Sequence, residues 1–291
     1  MTPAQRRDTD AFLDHRERLV RVAYRMLGSV SDAEDVVQDA WLRWQRADRS
    51  EVADPLAFLV RTTSRLALDR LRQLTARREE YHGEWLPEPF ATNAPETEAI
   101  ARDDLSMAMM RVLELLSPLE RVVFVLREAF DYSHAEIGVI VGRTEPTVRQ
   151  LAHRARLHVD ESRPRYRTDP RTQRDLTERF LVATQTGDLE ALLKLLAPDV
   201  TLVADGGGKV RAPLLPVVGA DAVGRFLLAV GAREAGRIAA SAAVVNDGPA
   251  IVVSSAAGVQ AVIALDVTEG RIGRIYLVGN PDKLRAMSRL G

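Results

Sequence analysis

A glycine-rich loop followed by a lysine is the stretch of this sequence whose residue types most directly suggest chemistry. It reads VADGGGKVRA over residues 203–212, and consecutive glycines before Lys209 could cradle a phosphate group. A nucleotide-binding P-loop also needs an earlier glycine and a Ser or Thr after the lysine, but these places hold Val203 and Val210. The neighbouring runs VTLVA and VRAPLLPVV are apolar and β-branched, so the pattern favours a turn between two strands.

Acid–base catalysis is the other chemistry to consider in this part of the chain. Moving a proton beside a carbonyl needs a carboxylate with a tuned partner, often a histidine. All five histidines precede residue 173, and the aspartates beyond it form no evident acid–base pair. The candidate acids are Asp205, Asp221, Asp247, Asp266 and Asp282. The sequence therefore predicts no enzyme, no catalytic residue, no cofactor and no metal site.

Composition narrows the class of protein. A chain of 291 residues, 46% of them apolar, can form two or three domains with ordinary cores. It has no cysteine, which excludes disulfides and thiolate chemistry, and its first residues contain no apolar signal region. No apolar run is long enough to span a bilayer. We therefore expect a cytoplasmic protein without a membrane partner.

Charged residues are segregated along the chain, although the net charge is only −1. The segment DAEDVVQD carries four acids and no base, whereas RTTSRLALDRLRQLTARR carries six arginines and one acid. A second basic cluster lies at 149–156. This distribution suggests two kinds of partner, an anionic polymer and a protein, and ordinary solvated helix faces are the alternative.

Capping signals predict helices through the first half of the chain. Capping boxes, each a serine followed three residues later by a glutamate, begin at Ser31, Ser117 and Ser133. Asp54 followed by Pro55 predicts a further helix start. A short helix that ends at Gly142 and a second that starts after Thr144 predict a helix-turn-helix.

Two proline-rich segments without helical periodicity, 79–104 and 163–172, predict linkers. The first linker holds Trp85, Leu86 and Phe90, which are costly to leave in water, so we expect it to dock on a folded domain. The predicted domains are 1–78, 105–162 and 173–291.

The last domain begins with two helices and continues with strand-like runs. These runs are VTLVA, KVRAPLLPVV, IAASAAVVN, AIVVSSAAG, VQAVIALDVTEG and RIGRIYLVG. A helix at ADAVGRFLLAV interrupts them, and a last helix is predicted to start at NPDKL. This order predicts an α+β domain in which a curved sheet of mainly antiparallel strands wraps around a helical layer.

Three longer motifs resemble bacterial RNA polymerase sigma factors of the extracytoplasmic-function (ECF) type. SDAEDVVQDAWLRWQRA resembles their core-polymerase-binding region, and DPLAFLVRTTSRLALDRLRQ resembles the reader of the −10 promoter element. SHAEIGVIVGRTEPTVRQLAHRAR resembles their −35 reading helix-turn-helix, and WLPEP, DGGGK and NPDKL are similar to motifs of the SigJ-like subgroup. The resemblance implies two all-α domains, sigma regions 2 and 4, followed by an α+β SnoaL/NTF2-like domain with a curved sheet.

Core RNA polymerase is the first partner that the resemblance implies, through its β′ coiled coil and its β flap. Acidic and aromatic side chains together suit a basic protein surface. The predicted contacts are Asp35, Gln38, Asp39 and Trp41. The alternative is that the tryptophans are core residues beside solvated acids, and in either case we expect one tryptophan to be buried.

Promoter DNA is the second implied partner. The arginine-rich helix would hold phosphates with an affinity that falls steeply with salt. The predicted −10 contacts are Arg61, Arg65, Arg70 and Arg72, and an ordinary salt-bridged surface helix is the alternative. In the helix-turn-helix, the predicted core residues are Ile137, Ile140, Val148 and Leu151. The predicted −35 contacts, some of which can bond base edges, are Thr144, Thr147, Arg149, Gln150, His153 and Arg154.

The C-terminal domain of the resembling subgroup regulates the sigma factor to which it is fused. We therefore expect the linker to dock near the glycine turn and the NPDKL motif, with Asn280 as a helix cap and Lys209 paired with Glu88 or Asp282. The predicted contact residues are Trp85, Leu86, Pro87, Glu88 and Pro89, with Asp205, Gly206, Gly207, Gly208 and Lys209, and Asn280, Pro281, Asp282, Lys283 and Leu284.

Two other functions stay open from the sequence. The protein could be a helix-turn-helix regulator that binds DNA without polymerase, or an enzyme whose activity lies in the C-terminal domain. The sequence also leaves open a small ligand of that domain and whether the domain inhibits or assists transcription.

Overall fold

The chain forms two compact units in the computed structural model, which describes residues 3–48, 52–78, 81, 83–89, 106–162, 169–246 and 248–290. The first unit comprises residues 1–79 and 112–163, and the second comprises residues 80–111 and 164–291. The first predicted linker is therefore grouped with the C-terminal domain. Phe90, Asp247 and the predicted helix start at Asp103 lie outside the described residues.

The first unit is built from helices. They are α1 (Pro3–Leu27), α2 (Val30–Arg46), α3 (Pro55–Arg78), α5 (Pro118–Glu128), α6 (His134–Val141) and α7 (Glu145–Ser162), and α4 (Met107–Leu113) crosses the boundary between the units along the chain. Helices α1, α2 and α3 pack on one another, as do α5, α6 and α7. Trp44 is 2% exposed, which confirms that one tryptophan is a core residue.

Most of the predicted helix starts are confirmed. Asp54 accepts bonds from the amides of Leu56 (2.9 Å) and Ala57 (3.2 Å), and both Ser117 and Ser133 form complete capping boxes. The helix-turn-helix turn is also confirmed, because the cap that ends α6 is a glycine at position 142 with φ 67°.

The predicted capping box at Ser31 is wrong. Helix α2 begins at Val30, and its cap is Ser29, whose hydroxyl accepts from the Asp32 amide at 3.1 Å. Gly28, at φ 70°, ends α1 and lets the next helix begin at once, so Ser31 already lies in the first turn.

The second unit is an α+β structure with one six-stranded sheet. Its helices are α8 (Pro170–Thr186), α9 (Leu189–Leu195) and α10 (Ala220–Glu234), and a 3₁₀-helix (Arg285–Leu290) ends it. Its strands are β1 (Leu196–Asp205), β2 (Val217–Val218), β3 (Ala239–Val245), β4 (Gly248–Ser255), β5 (Gly258–Thr268) and β6 (Arg271–Val278). The strand order is β2-β1-β6-β5-β4-β3, and only the β1–β6 pair is parallel among the described strands. Register shifts interrupt the β1–β6, β4–β5 and β5–β6 ladders, and such irregularities bend a sheet.

Two of the predicted elements in this unit differ in the structure. The run KVRAPLLPVV contributes only the two residues of β2, because Pro213 and Pro216 have no N–H to donate to a ladder. NPDKL forms a turn rather than an α-helix start, with the Lys283 amide bonded to the Asn280 carbonyl at 3.0 Å, and the 3₁₀-helix follows it.

Both faces of the sheet are covered within the second unit. Alternate residues along β6 show this, because Ile275 packs with the helices α8, α9 and α10, while Tyr276 belongs to a separate cluster on the opposite face. That second cluster includes Leu86 and Met107 from the N-terminal side of the unit, together with Leu284 and Met287. Leu86 of the predicted linker is thus part of a hydrophobic core.

Candidate functional site

An exposed acidic stripe runs along α2. Asp35, Gln38, Asp39 and Leu42 are exposed. Gln38 and Asp39 each lie three or four residues from both Asp35 and Leu42, so the four residues share one face of the helix. Among the residues that the structure describes, neither Asp35 nor Asp39 forms an ion pair. Trp41 is half-buried, with its ring centroid 4.8 Å from that of Phe12. Three of the four predicted polymerase contacts therefore face solvent, and the fourth does so in part.

The arginines of α3 differ in what they contact. Arg61 lies over the Phe58 ring at 5.7 Å, and Arg72 pairs with Asp69 on the same helix at 3.1 Å. Arg70 donates from Nε to Asp32 Oδ1 at 2.7 Å, which ties α3 to α2. The predicted −10 contacts are therefore not equally available to bind DNA, because Arg70 already has a buried partner.

Arg65 is also engaged inside the first unit. Its Nε donates to the Ile140 carbonyl at 2.8 Å and its Nη2 to the Val139 carbonyl at 2.7 Å. Both carbonyls belong to the last turn of α6. This contact was not foreseen from the sequence, because the two partners are separated by more than seventy residues.

The helix-turn-helix has the predicted division between core and surface. The four predicted core residues, Ile137, Ile140, Val148 and Leu151, are all buried. Of the predicted −35 contacts, five are exposed and Thr147 is half-buried, with its Oγ1 2.9 Å from that of Thr144. The exposed five are Thr144, Arg149, Gln150, His153 and Arg154.

Both arginines of the predicted −35 set have acidic neighbours. Arg149 pairs with Glu145 one turn earlier at 2.6 Å, and Arg154 lies 3.4 Å from the Glu120 carboxylate on α5. Both arginines are more than half exposed, so these weak surface pairs can yield to a phosphate or a base edge.

A buried ion pair forms the centre of the second unit, and we call it the Asp205–Lys283 site. The Asp205 carboxylate is fully buried at the end of β1 and lies 2.6 Å from Lys283 Nζ. It also accepts from the Tyr81 hydroxyl at 2.6 Å, from the Leu86 amide at 2.9 Å and from the Gly207 amide at 3.1 Å. The site therefore joins all three short motifs, since Lys283 also donates to the Leu86 carbonyl at 2.5 Å.

Aromatic rings cover the Lys283 ammonium. Its Nζ lies 3.2 Å from the Trp85 ring centroid and 5.1 Å from that of Tyr81, and the two rings meet edge to face at 4.8 Å. A ring face attracts a cation, and the attraction is stronger where water is excluded. Nearby, Arg111 on α4 pairs with Glu84 of the linker at 2.9 Å, which joins the linker to α4.

The glycine turn contacts the Asn280 side chain of the same protein, whereas the glycines of a P-loop contact a phosphate group. Gly207 has φ 62°, and a Cβ built there would lie 2.2 Å from Asn280 Nδ2. No side chain fits, so the second glycine lets Asn280 lie against the backbone. Asn280 Nδ2 donates to the Tyr81 hydroxyl at 2.8 Å, and its Oδ1 accepts from the Asp282 amide at 3.0 Å.

Lys209 pairs with Asp282, one of its two predicted partners. This pair is about half exposed, and the Lys209 ammonium lowers the pKa of the Asp282 carboxyl. Of the remaining predicted residues, Pro87 and Pro89 are buried, Glu88 is half-buried and Leu284 belongs to the core behind the sheet.

Tyr81 is the contact residue that sequence reasoning missed. Burial raises the pKa of its hydroxyl, and the hydrogen bond to Asp205 raises it further, so the phenol remains a donor. The available signal was an aromatic residue four positions before Trp85 in a proline-rich segment.

Two of the candidate acids of the C-terminal domain are engaged by other groups of the protein. Asp205 is enclosed by its own donors, and Asp221 is exposed and paired with Arg225 at 2.8 Å. The face of the sheet that carries the helices is filled by apolar side chains such as Phe180, Leu192 and Leu227.

None of the described helices is both long enough and apolar enough to span a bilayer.

Comparison with known proteins gives the same order of domains. The family models for Sigma-70 region 2 and Sigma-70, region 4 match residues 11–77 and 106–159. The ECF RNA polymerase sigma factor SigJ of Mycobacterium tuberculosis is 38% identical over 92% of this chain and 90% of its own. The probable ECF RNA polymerase sigma factor SigI of the same species is 35% identical over 95% of both chains. The crystal structure of M. tuberculosis SigJ superposes with a TM-score of 0.79 at 37% identity, covering 96% of this chain and 98% of that chain.

Proposed function

The chain belongs to the extracytoplasmic-function family of RNA polymerase sigma factors, and we propose that it directs core polymerase to specific promoters and starts transcription there. The observation that carries this proposal is the 38% identity to a family member along 92% of the chain, with both sigma regions in order. The role requires a cytoplasmic protein with core polymerase and promoter DNA as partners.

The α2 stripe is the proposed contact with core polymerase. Its exposed carboxylates, Asp35 and Asp39, have no cation partner among the described residues, so a basic partner surface can reach them. Complementary charge accelerates encounter and fixes orientation, and the half-buried Trp41 adds aromatic area beside the acids.

Reversing the stripe is expected to abolish most core binding. The double variant Asp35→Lys with Asp39→Lys replaces two attractive charges by two repulsive ones, so we expect an affinity loss of at least about tenfold. Fluorescence titration with core polymerase measures it. The matched control is Glu17→Lys, an exposed charge reversal on α1. Equal affinities for the two variants would remove α2 from the proposed interface.

Two arginines of α3, the half-buried Arg61 and the exposed Arg72, and the exposed face of α7 are the proposed DNA contacts. Arg61 and Arg72 on α3 would hold phosphates, and Arg149, Gln150 and His153 on α7 would reach base edges. Arg70 is not part of this proposal, because its bond to Asp32 serves the packing of α3 on α2.

The linker and the C-terminal domain are the proposed regulatory element. The linker connects sigma regions 2 and 4 along the chain, and Leu86 and Trp85 hold it to the Asp205–Lys283 site. Whatever loosens or tightens this site therefore changes the freedom of the segment that joins the two promoter-reading regions.

In vitro transcription with bacterial core polymerase tests both parts of the proposal. We expect the full chain to initiate, and we expect a chain ending at Arg167 and the variant Trp85→Ala to change the rate in the same direction. Both changes release the linker from the C-terminal domain. Hydrogen exchange of α5–α7 serves as the control that the first unit stays folded.

Each failure has a distinct meaning. If the full chain initiates and neither change alters the rate, the regulatory role is wrong while the sigma function stands. If the full chain neither initiates nor binds core polymerase but binds duplex DNA tightly, it is a stand-alone regulator. Turnover of a small molecule by the C-terminal domain would instead indicate an enzyme.

A further inference from the structure

The two edges of the sheet in the second unit differ in how well they are protected from pairing with another strand. Among the described strands, β2 and β3 are the outermost. β2 has only two residues and follows a segment that contains Pro213 and Pro216, which have no N–H to donate. Short strands and prolines are common means of keeping a sheet edge from binding further strands. The β2 edge is therefore blocked.

The β3 edge has none of these features. Its sequence, AASAAVV, contains no proline and no charged residue, and all seven residues pair with β4 without a register shift. Lysines, prolines and bulges would each disturb a further strand, so a regular uncharged strand of this length is an open template for pairing. Four of its residues, Ala239, Ser241, Ala242 and Val244, are exposed.

One hydrogen bond indicates which backbone groups of β3 point away from β4. Gln185 Nε2, on α8, donates to the Ala240 carbonyl at 3.0 Å. Backbone groups alternate between the two sides of a strand, so those of Ala242 and Val244 point the same way as those of Ala240. The Gln185 side chain is itself exposed, so it covers one outward carbonyl and can move aside.

Helix α8 adds apolar surface beside the same edge. It packs on both β3 and β4. Val182 lies one turn before Gln185 on the same side of this helix and is 58% exposed. Val244, on the edge strand itself, is 43% exposed. Outward backbone groups and exposed valines therefore occur together at this border of the sheet.

We propose that the β3 edge binds the β3 edge of a second copy of this chain, so that the two sheets join across a two-fold axis. Antiparallel pairing centred on Ala242 places Ala240 of one copy opposite Val244 of the other. Each outward N–H and C=O of the three residues then has a backbone partner, and the Gln185 side chain of each copy is displaced.

The composition of β3 favours a second copy over an unrelated strand. In a two-fold interface a residue near the axis meets the same residue of the other copy, so a charge there would be repelled by its own kind. None of the seven positions of β3 is charged. An edge that selects a foreign peptide also offers side-chain pockets for specificity, whereas β3 offers only alanine, serine and valine.

The dimer is expected to be weak. A strand of seven residues is only about 23 Å long. Together with the neighbouring part of α8 it buries less than the roughly 800 Å² per partner of a standard stable interface. We therefore expect a dissociation constant in the micromolar range. The inference concerns the second unit and does not depend on the proposed sigma function.

Sedimentation velocity of the full chain tests the proposal, at concentrations from about 1 to 100 μM. We expect a monomer at the lower end and an increasing fraction of dimer at the upper end. Hydrogen exchange at both ends of the range identifies the surface. The β3 amides are expected to gain protection as the dimer forms.

Two substitutions at Ala242 block the pairing in different ways. Ala242→Pro removes an N–H that points away from β4, so it breaks no hydrogen bond inside the sheet. Ala242→Lys places two like charges at the axis. We expect each to weaken self-association by at least about tenfold. Circular dichroism verifies that both variants are folded.

A third substitution acts in the opposite direction. Gln185→Ala removes the side chain that competes for the Ala240 carbonyl, so each copy has one bond fewer to break before pairing. We expect self-association to tighten by about tenfold, because two such bonds are lost for each dimer.

Two substitutions away from the edge serve as controls. Gln260→Lys adds the same charge at an exposed position of β5, an interior strand, and Thr186→Ala alters the residue after Gln185, whose hydroxyl bonds a carbonyl of its own helix. Both are expected to leave self-association unchanged.

Three results would overturn the proposal. The first is a full chain that stays monomeric over the whole concentration range. The second is a dimer that forms equally well after both substitutions of Ala242, which would place the contact on another surface. The third is protection of β3 only when an unrelated protein is added, which would assign the edge to a foreign strand.

Discussion

Replacement of Asp205 by Asn is expected to destabilise the second unit by about 3–5 kcal/mol, because it leaves a buried cation uncompensated. Lys283 is 3% exposed and its Nζ lies 2.6 Å from the Asp205 carboxylate. An amide in that place keeps the shape of the side chain but not its charge. Removing one partner of a buried pair costs far more than the pair contributes relative to apolar residues.

Hydrogen exchange of the β1 and β6 amides measures this effect separately from the first unit. A loss of 3–5 kcal/mol corresponds to a fall in protection of roughly two to three and a half orders of magnitude. The matched control is Lys209→Met, which breaks the half-exposed pair with Asp282 in the same two motifs. That change is expected to cost no more than about 1 kcal/mol.

A double variant identifies the cause of the loss. Asp205→Asn combined with Lys283→Met removes the uncompensated charge, so we expect it to recover part of the stability that Asp205→Asn loses. If Asp205→Asn costs no more than Lys209→Met, the buried pair is not what holds the linker to the C-terminal domain.

The substitution Leu86→Ala is expected to cost the second unit about 2–5 kcal/mol. Leu86 is fully buried in the cluster behind the sheet, with Val262, Tyr276 and Met287 among its members. Truncation leaves a cavity there and loses burial, and it weakens the hold of the linker on the sheet. We expect transcription to change in the same direction as with Trp85→Ala.

Urea unfolding followed by circular dichroism gives the stability change. The matched control is Leu215→Ala in the same unit, where the leucine is 78% exposed and truncation should change stability by less than about 0.5 kcal/mol. A small effect for Leu86→Ala, equal to that of Leu215→Ala, would show that the linker packs on the sheet only loosely.

Local signals in the sequence determined much of the first unit. The caps at Asp54, Ser117 and Ser133 and the glycine at 142 are confirmed, because each depends on residues within a few positions along the chain. The helix-turn-helix core follows from the same short-range periodicity. At the start of α2 the sequence predicted Ser31 as the cap, but the glycine that ends the preceding helix places the cap at Ser29.

The resemblance of the three short motifs to one subgroup also indicated that the linker meets the C-terminal domain near Asn280. The resemblance did not indicate which atoms make this contact. The choice of a turn over an α-helix at NPDKL follows from contacts with the glycine turn and Tyr81, which no local propensity encodes.

Tertiary structure alone decided which charged residues have a partner inside the protein. Asp205 meets Leu86 across 119 positions and Lys283 across 78, and Arg65 meets Ile140 across 75. The type of a charged residue does not indicate whether its side chain will contact solvent, a carbonyl group or a buried ion partner. The sequence thus determined the sigma regions and their order, while long-range packing determined that Arg70 and Arg65 are engaged and that Leu86 of the linker belongs to the core of the C-terminal domain.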